Sequence, residues 1–467
     1  MTAERMSAID RAWLLMERPT NPMVVVGLLV LSRPLSHAAL RQLMADRFLR
    51  FERFRCVPVT EALGGRWVPA ERFNLDDHVL RIALPSPGGK RELEALAGEL
   101  ASTPLNTGRP LWTFHHVEHY AHGSALLVRI HHCYADGIAL MHVLATLADE
   151  NTAAAGTSFA ADAAANVPAS CPARGPMPAL LEKALREGTD LFEKGLHFAL
   201  HPAEATAAAR AAAGIAGEIA RIGILLADDP PTCLKQPLTG VRRIAWGEPL
   251  ALEEVHTVGR ILGCTVNDVL ISTLAGAVGR YLDAAGERTA GMTIRAAAPV
   301  NLRTADGGPF ELGNRFGLAF VDLPIGTRHP LERLYAVHAA MQALKGSPQA
   351  LVTFGLLSLV GSLPAVVEEP AVAFFSAKAS LVVSNLRGPQ RRLTLAGVPV
   401  SQLLFWVPQT GSIGTGVSMF TYDQEVHFGV IADRQLIPAP GELVSIIQTE
   451  FDRLVYLILL GGGSLLG

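Results

Sequence analysis

The chain lacks a large excess of charge, a paired set of cysteines, an unbroken apolar span and the common catalytic signatures. Its net charge is -3 over 467 residues and its pI is near 6.6, which argues against a nucleic-acid-binding protein, usually basic. The five cysteines, Cys56, Cys133, Cys171, Cys233 and Cys264, are odd in number, scattered and never in a CxxC spacing. That pattern suits a reducing cytoplasm and argues against both a disulfide framework and a zinc site. The opening MTAERMSAID holds no apolar h-region, so no signal peptide is expected. The best transmembrane candidate, LVTFGLLSLVGSLPAVV at 351–367, is short of a full span and is interrupted by glycine, serine and Pro364. A buried or interfacial helix is expected there. No GxSxG, Walker A, HExxH or strand-linked GxGxxG occurs, which removes the usual hydrolase, P-loop, zincin and dinucleotide templates.

What is present is apolar. Hydrophobic residues make up 49% and charged residues 18%, so ample surface is available to bury, with a leaning towards lipid-like ligands or membrane contact. The length suits two domains of ordinary size. MSAIDRAWLLME reads as a short helix and MVVVGLLVL as a strand. The spacing of Leu40, Leu43, Met44, Phe48 and Phe51 predicts a helix over 37–51, capped by Ser36. Arg47, Arg50, Arg53 and Arg55 at its end read as a solvated face, or as a landing point for phosphates or anionic lipid. Residues 112–132 read as a β-hairpin whose His115, His116, His119 and His122 are expected to touch solvent rather than bind metal.

Residues 151–178 are rich in alanine, serine, glycine and proline and read as a linker, with helical patterns following near 179–200 and 203–226. A second domain is expected from about Val241. Its strand candidates are TIRAAAPVNLR, GLAFVDLPI, ASLVVSNL and EVHFGVIAD. Both halves share a mixed α/β rhythm, without a repeat of 20 to 50 residues.

The stretch VRIHHCYADGIALMHVL at 128–144 carries the most chemistry. If 124–132 is a strand, alternation puts His132 with Ile130 and Val128, and His131 with Arg129 and Leu127. The two rings then cannot share one site: one serves chemistry and the other structure, or neither serves chemistry. Asp136 stands where an N-cap belongs, and Gly137 permits a close backbone approach. Burying imidazoles is costly, whereas a histidine at a sheet mouth suits general base work on a hydroxyl. Cys133 adjoins His132, but neighbouring strand residues point apart, so a cysteine–histidine dyad is not expected. Without an evident nucleophile, direct transfer in a ternary complex is the natural reading.

HHCYADG resembles the HHxxxDG motif of the bacterial wax ester synthase/diacylglycerol acyltransferases, relatives of chloramphenicol acetyltransferase and of peptide-synthetase condensation domains. MSAIDRAWLLMERPTNPMVVVGLL resembles that family's opening segment and RPLW (Arg109–Trp112) its PLW block. TVNDVL (Thr265–Leu270), PVNLR (Pro299–Arg303), LGNRFG (Leu312–Gly317) and SNLRGP (Ser384–Pro389) resemble its later blocks. The matches fall in order and span nearly the whole chain apart from the linker. SNLRGP departs slightly from the more usual SNVPGP-like form, so Leu386 and Arg387 receive no role.

The resemblance implies a mixed α/β fold of two chloramphenicol acetyltransferase-like halves, at 1–150 and 241–467, joined by 151–240, with a tunnel between them. Acyl-CoA enters one side, and a long-chain alcohol or a diacylglycerol the other. It implies His132 as the base that removes the acceptor proton and then protonates the CoA thiolate, with His131 supporting the geometry. Asp136 holds the loop through a basic partner, for which Arg303 is the candidate. Asn267 is the candidate oxyanion donor; against it, Thr265 can cap a helix whose first turn contains Asn267 and Asp268, which makes Asp268 structural. No metal or cofactor is expected beyond acyl-CoA as co-substrate. The expected location is the cytoplasm, peripheral to the inner membrane or lipid inclusions. Two other readings remain: the same fold acting on another hydroxyl or an amine, and a non-catalytic lipid-surface protein. For the latter, 351–367, the arginine cluster and RLVYLILLGGGSLLG are the motivating features.

Overall fold

The computed structural model describes residues 4–61, 64–149, 227–303, 312–345, 347, 349–362 and 368–461. The fold is mixed α/β, built on mixed sheets. Most of the expected linker, with both helical patterns of 179–226, lies outside the described residues, as does Cys171. From Ala227 the described chain runs against Ala377–Ser380, with the Asp229 amide donating to Ala377 O at 2.9 Å.

One sheet runs in the order Thr394–Leu395, Val398–Trp406, Val24–Leu31, Gly123–His131, Trp112–Tyr120, Val79–Ile82. VVVGLLVL is apolar without alternation because it is central: Gly123–His131 pairs with one edge and Val398–Trp406 with the other. A strand buried on both faces has no use for polar alternation. The partner Val398–Trp406 comes from far along the chain, so the later sequence completes the sheet of the earlier.

The second sheet runs Phe316–Leu323, Ile294–Asn301, Leu381–Arg387, Thr415–Tyr422, Glu425–Asp433, Arg242–Trp246, with Leu250–Ala251 pairing on Glu425–Asp433. Period-2 alternation gives its strands two distinct faces. Leu381 and Val383 pack with the helix Val266–Ala284 in one core, whereas Val382 and Leu386 face the other core. The helix starts in a capping box: Thr265 Oγ1 accepts from the Asp268 amide at 3.1 Å, and Asp268 accepts from the Thr265 amide at 2.9 Å.

Three expectations need correction. The helix predicted over 37–51 ends at Asp46, and two 3₁₀ turns, Phe48–Arg50 and Glu52–Arg55, follow. The break lets Phe48 and Phe54 stack in the core at 4.2 Å, which one straight helix would not allow. Arg47 and Arg53 are not free for phosphates. Arg47 donates to the carbonyls of Leu147 and Ala148, and Arg53 pairs with Glu4 at 2.8 Å and lies over the Trp67 ring. His115 and His116 are buried rather than facing solvent. They are 7% and 0% exposed, and burial pushes both down to about 4; His119 and His122 are exposed.

Of the apolar stretch 351–367, the described part belongs to the helix Gln349–Ser362, which packs on the helix Ala8–Leu15 and buries Leu356, Leu357 and Val360. The contact needs glycine: a Cβ on Gly361 would stand 1.7 Å from Ala8 O. Among the described residues no single helix is long and apolar enough to cross a membrane.

Candidate active site

The strand Gly123–His131 ends one residue before the second histidine. His131 still pairs with Val24 in the ladder, and the His132 amide donates to Met23 O at 2.7 Å as the chain leaves the sheet. A buried turn follows. Tyr134 anchors it by donating to Cys56 O at 2.6 Å and accepting the Leu111 amide at 3.0 Å. Asp136 then caps the helix Gly137–Leu147, its Oδ1 accepting from the Ala139 amide at 2.9 Å.

The two imidazoles part at this point. His131 Nδ1 accepts the Cys133 amide at 3.1 Å, so its proton sits on Nε2, 3.2 Å from Glu17 Oε2. Both ring nitrogens are engaged, and His131 is not in the cavity lining. His132 carries the opposite tautomer. Asn314 uses both amide hydrogens as donors, one to Asp10 Oδ1 and one to His132 O, each at 2.8 Å. Its oxygen is therefore an acceptor, and it lies 2.9 Å from His132 Nδ1. The proton is on Nδ1, which leaves Nε2 as the acceptor available to the cavity.

Three segments build this arrangement. Ser7 caps the helix Ala8–Leu15 through the Asp10 amide at 3.1 Å. Asp10 and Trp13, three apart, share one helix face. Trp13 stacks on His132 with ring centroids 4.3 Å apart. Gly313 sits at φ 124°, beside the Asp10 carboxylate, and its left-handed backbone turns Asn314 towards both partners. Burial pushes Asp10 up to about 6, against the pull of its Asn314 hydrogen bond and the Arg53 charge. Burial likewise pushes His132 down to about 4, with the Asp136 charge opposing, so the ring is neutral at pH 7.

Asp136 joins the two parts of the chain. Its Oδ2 accepts from Arg303 at 2.8 Å and from the Arg315 amide at 2.9 Å, while Arg303 also donates to Gly313 O at 2.7 Å. The expected pairing with Arg303 is thus present, and it ties the motif turn to the loops flanking the strand pair Ile294–Asn301 and Phe316–Leu323.

His132 and Asp136 open onto a cleft whose empty space, counting the part open to solvent, is about 880 Å³. Its walls are mainly apolar, with Phe316, Leu318, Phe320, Phe375, Val382 and Leu386 among them. A few polar groups set in apolar walls are the usual make-up of a small-molecule site. Asn267 is not among the lining residues. Its Oδ1 accepts from Asn385 at 2.7 Å, and Asn385 alternates with Ser384 and Leu386, which face the cavity. Alternation thus puts that pair on the helix-covered side of the strand. Asp268 serves the capping box and stands 2.7 Å from His338 Nδ1. With Cys264 these residues are a group whose ligand atoms lie within 4.8 Å of one another and could hold a metal ion, outside the cavity lining.

Sequence reasoning assigned no role to Asp10, Trp13, Asn301 or Asn314. All four fall inside the quoted blocks MSAIDRAW, PVNLR and LGNRFG, so a signal was present, but it did not say which residue meets the histidine.

Residues 6–270 match the family model of the wax ester synthase/diacylglycerol acyltransferase catalytic domain, and 312–455 match the WS/DGAT C-terminal domain. A probable diacylglycerol O-acyltransferase of Mycobacterium tuberculosis is 30% identical over 402 residues, covering 84% of this chain and 81% of that protein. A second, putative diacylglycerol O-acyltransferase of the same organism is 26% identical, covering 93% and 87%. Among solved structures, the wax ester synthase/diacylglycerol acyltransferase from Marinobacter aquaeolei VT8 superposes with a TM-score of 0.68 at 22% identity, covering 98% of this chain and all of that one. The first condensation domain of the CDA synthetase superposes at 0.56 and 15% identity, covering 97% and 95%. These likenesses show the shared fold.

Proposed function

The chain belongs to the wax ester synthase/diacylglycerol acyltransferase family, and from that premise we propose that it moves a long-chain acyl group from acyl-CoA to the hydroxyl of a fatty alcohol or a diacylglycerol, with His132 as general base. It is an acyl-CoA-dependent O-acyltransferase of that type. The observation that carries the residue assignment is the 2.9 Å contact of His132 Nδ1 with Asn314 Oδ1, which leaves Nε2 as the free acceptor in an apolar cavity.

In the proposed reaction, Nε2 takes the acceptor's hydroxyl proton as the oxygen attacks the thioester carbonyl carbon. The C–S bond then breaks, and the imidazolium returns the proton to the departing thiolate, giving ester and free CoA. A ring held neutral by burial is ready as a base, and its conjugate acid is correspondingly strong for the second step. His131 and Asp136 act by holding the turn. Asp136 does so through its cap and through Arg303, without touching substrate. The apolar walls favour long-chain substrates.

Purified protein given palmitoyl-CoA should release CoA in step with ester formation when hexadecanol or dioleoylglycerol is added. Ester formed only with an amine or a short polar alcohol would sink the lipid acceptor and keep the fold's chemistry.

Docking on a lipid surface fits one further observation. Near the end of the helix Pro440–Gly461, Tyr456, Leu459 and Leu460 are 63%, 70% and 84% exposed, an apolar edge suited to an interface. Liposome co-sedimentation that survives changing all three to serine would remove that edge from the account.

A further inference from the structure

Two buried N–H groups on residues that line the cavity lack an acceptor among the described residues. The indole Nε1 of Trp13 and the amide Nδ2 of Asn301 are withdrawn from solvent and have no hydrogen-bond partner, and both residues line the cavity with His132. A buried donor left unpaired is costly, so two in one site call for a cause. Neither is free to turn away. Asn301 Oδ1 accepts the Arg303 amide at 3.0 Å, which fixes which end of the side chain is the NH₂. Ala297, Pro299 and Asn301 alternate along the strand Ile294–Asn301, and all three line the cavity. Trp13 is held by its stacking on His132 at 4.3 Å and on Phe316 at 5.6 Å.

Of the other polar side chains in the lining, Ser384 offers a hydroxyl that could compete as a donor, while Ser376, Thr410 and Asp136 are already engaged. Ser376 Oγ donates to Ala373 O at 3.2 Å, and Thr410 Oγ1 lies 3.7 Å from the sulfur of Met16. Asp136 uses one oxygen for the helix cap and the other for Arg303 and Arg315.

We propose that Asn301 Nδ2 and Trp13 Nε1 are the oxyanion-hole donors of the acyl transfer, a deepening that rests on the function proposed above. As the acceptor oxygen bonds to the thioester carbon, the carbonyl π pair moves onto the carbonyl oxygen, where the two N–H groups receive the negative charge. Collapse re-forms the C=O bond and expels the thiolate, which takes the proton from the His132 imidazolium. Both donors end the cycle unchanged. Their hydrogen bonds are stronger to the oxyanion than to the thioester carbonyl, so their loss lowers kcat more than it raises KM. In this assignment Asn301 takes the role that the motif resemblance gave to Asn267.

The test uses the full chain with palmitoyl-CoA and whichever acceptor the wild type uses best. Asn301→Ala removes the donor. Asn301→Asp removes it while keeping an oxygen for the Arg303 amide, which protects the loop. Trp13→Phe keeps a ring on His132 and deletes only the N–H. Expected are kcat losses of about 100-fold or more for both Asn301 variants and about tenfold for Trp13→Phe, with KM for palmitoyl-CoA changed by less than about threefold. Values of kcat within about twofold of wild type for Asn301→Asp and Trp13→Phe overturn the assignment. So does a hundredfold loss in Ser384→Ala with the other variants unaffected, which moves the hole to that hydroxyl. A wild type that esterifies no acceptor overturns the underlying function, and this inference with it.

Discussion

His132 Nδ1 faces Asn314 Oδ1 at 2.9 Å, and the amide cannot turn round, because Asp10 Oδ1 and His132 O take both of its hydrogens. The tautomer of the ring is thus set by a carboxylate that never touches it. Replacing Asn314 with alanine should lower kcat by about 10- to 100-fold, the scale seen when an outer partner that orients a histidine is removed. The Km for acyl-CoA should hardly move. An unchanged kcat would free the tautomer from Asn314.

The acid limb of activity should lie low. Burial holds His132 below its ordinary 6.5, at about 4, and the base works deprotonated. A profile of kcat/KM against pH should therefore stay flat below 6.5 and fall only as pH approaches about 4. A limb centred near 6.5 would mean that the ring is solvated in the free enzyme. Stability follows the same sign. The folded state holds fewer protons on His132, His115, His116 and His427 than the unfolded chain, so melting temperature should drop as pH falls from 6.5 towards 4. Asp10, pushed up to about 6, opposes this: its contribution is lost as pH rises through 6.

Breaking the Asp136–Arg303 pair should cost more than removing both partners. The side chains are 7% and 15% exposed, so Arg303→Ala leaves a nearly buried carboxylate without its cation, at a cost of about 3 kcal/mol. Adding Asp136→Asn should recover part of that loss in denaturant melts, because the uncompensated charge goes too. Strict additivity would show that the two side chains do not interact.

Gly361→Ala should destabilise through overpacking, since its Cβ would meet the Ala8 carbonyl at 1.7 Å. A loss of about 2–3 kcal/mol is expected in urea titrations. Because the displaced helix carries Asp10 and Trp13, turnover should fall as well. A variant as stable as wild type would mean that the helix pair is loosely seated.

Much of the site's local geometry was legible before any contact was known. Alternation separated His131 from His132, and the cap at Asp136 and the helix after it follow from neighbouring residues. The family was legible in the ordered blocks, and the family models match the regions that hold all of them but PVNLR. What local pattern could not supply is long-range pairing. Asn314 meets His132 across 182 positions and Asp10 across 304, and periodicity carries no information over such separations. The same limit hid the strand Val398–Trp406 in the first sheet. The burial of His115 and His116 was missed because a polar ring in a strand reads as an outward residue, while the packing of Val79–Ile82 beside that strand is set elsewhere in the sequence.

The most direct measurement is CoA release from palmitoyl-CoA by wild type and by His132→Ala, each with and without the lipid acceptor. Wild type should release CoA only with acceptor present, and His132→Ala should lose at least about 100-fold of that rate while keeping its fold by melting. Normal acceptor-dependent turnover in His132→Ala would contradict the assignment of the base.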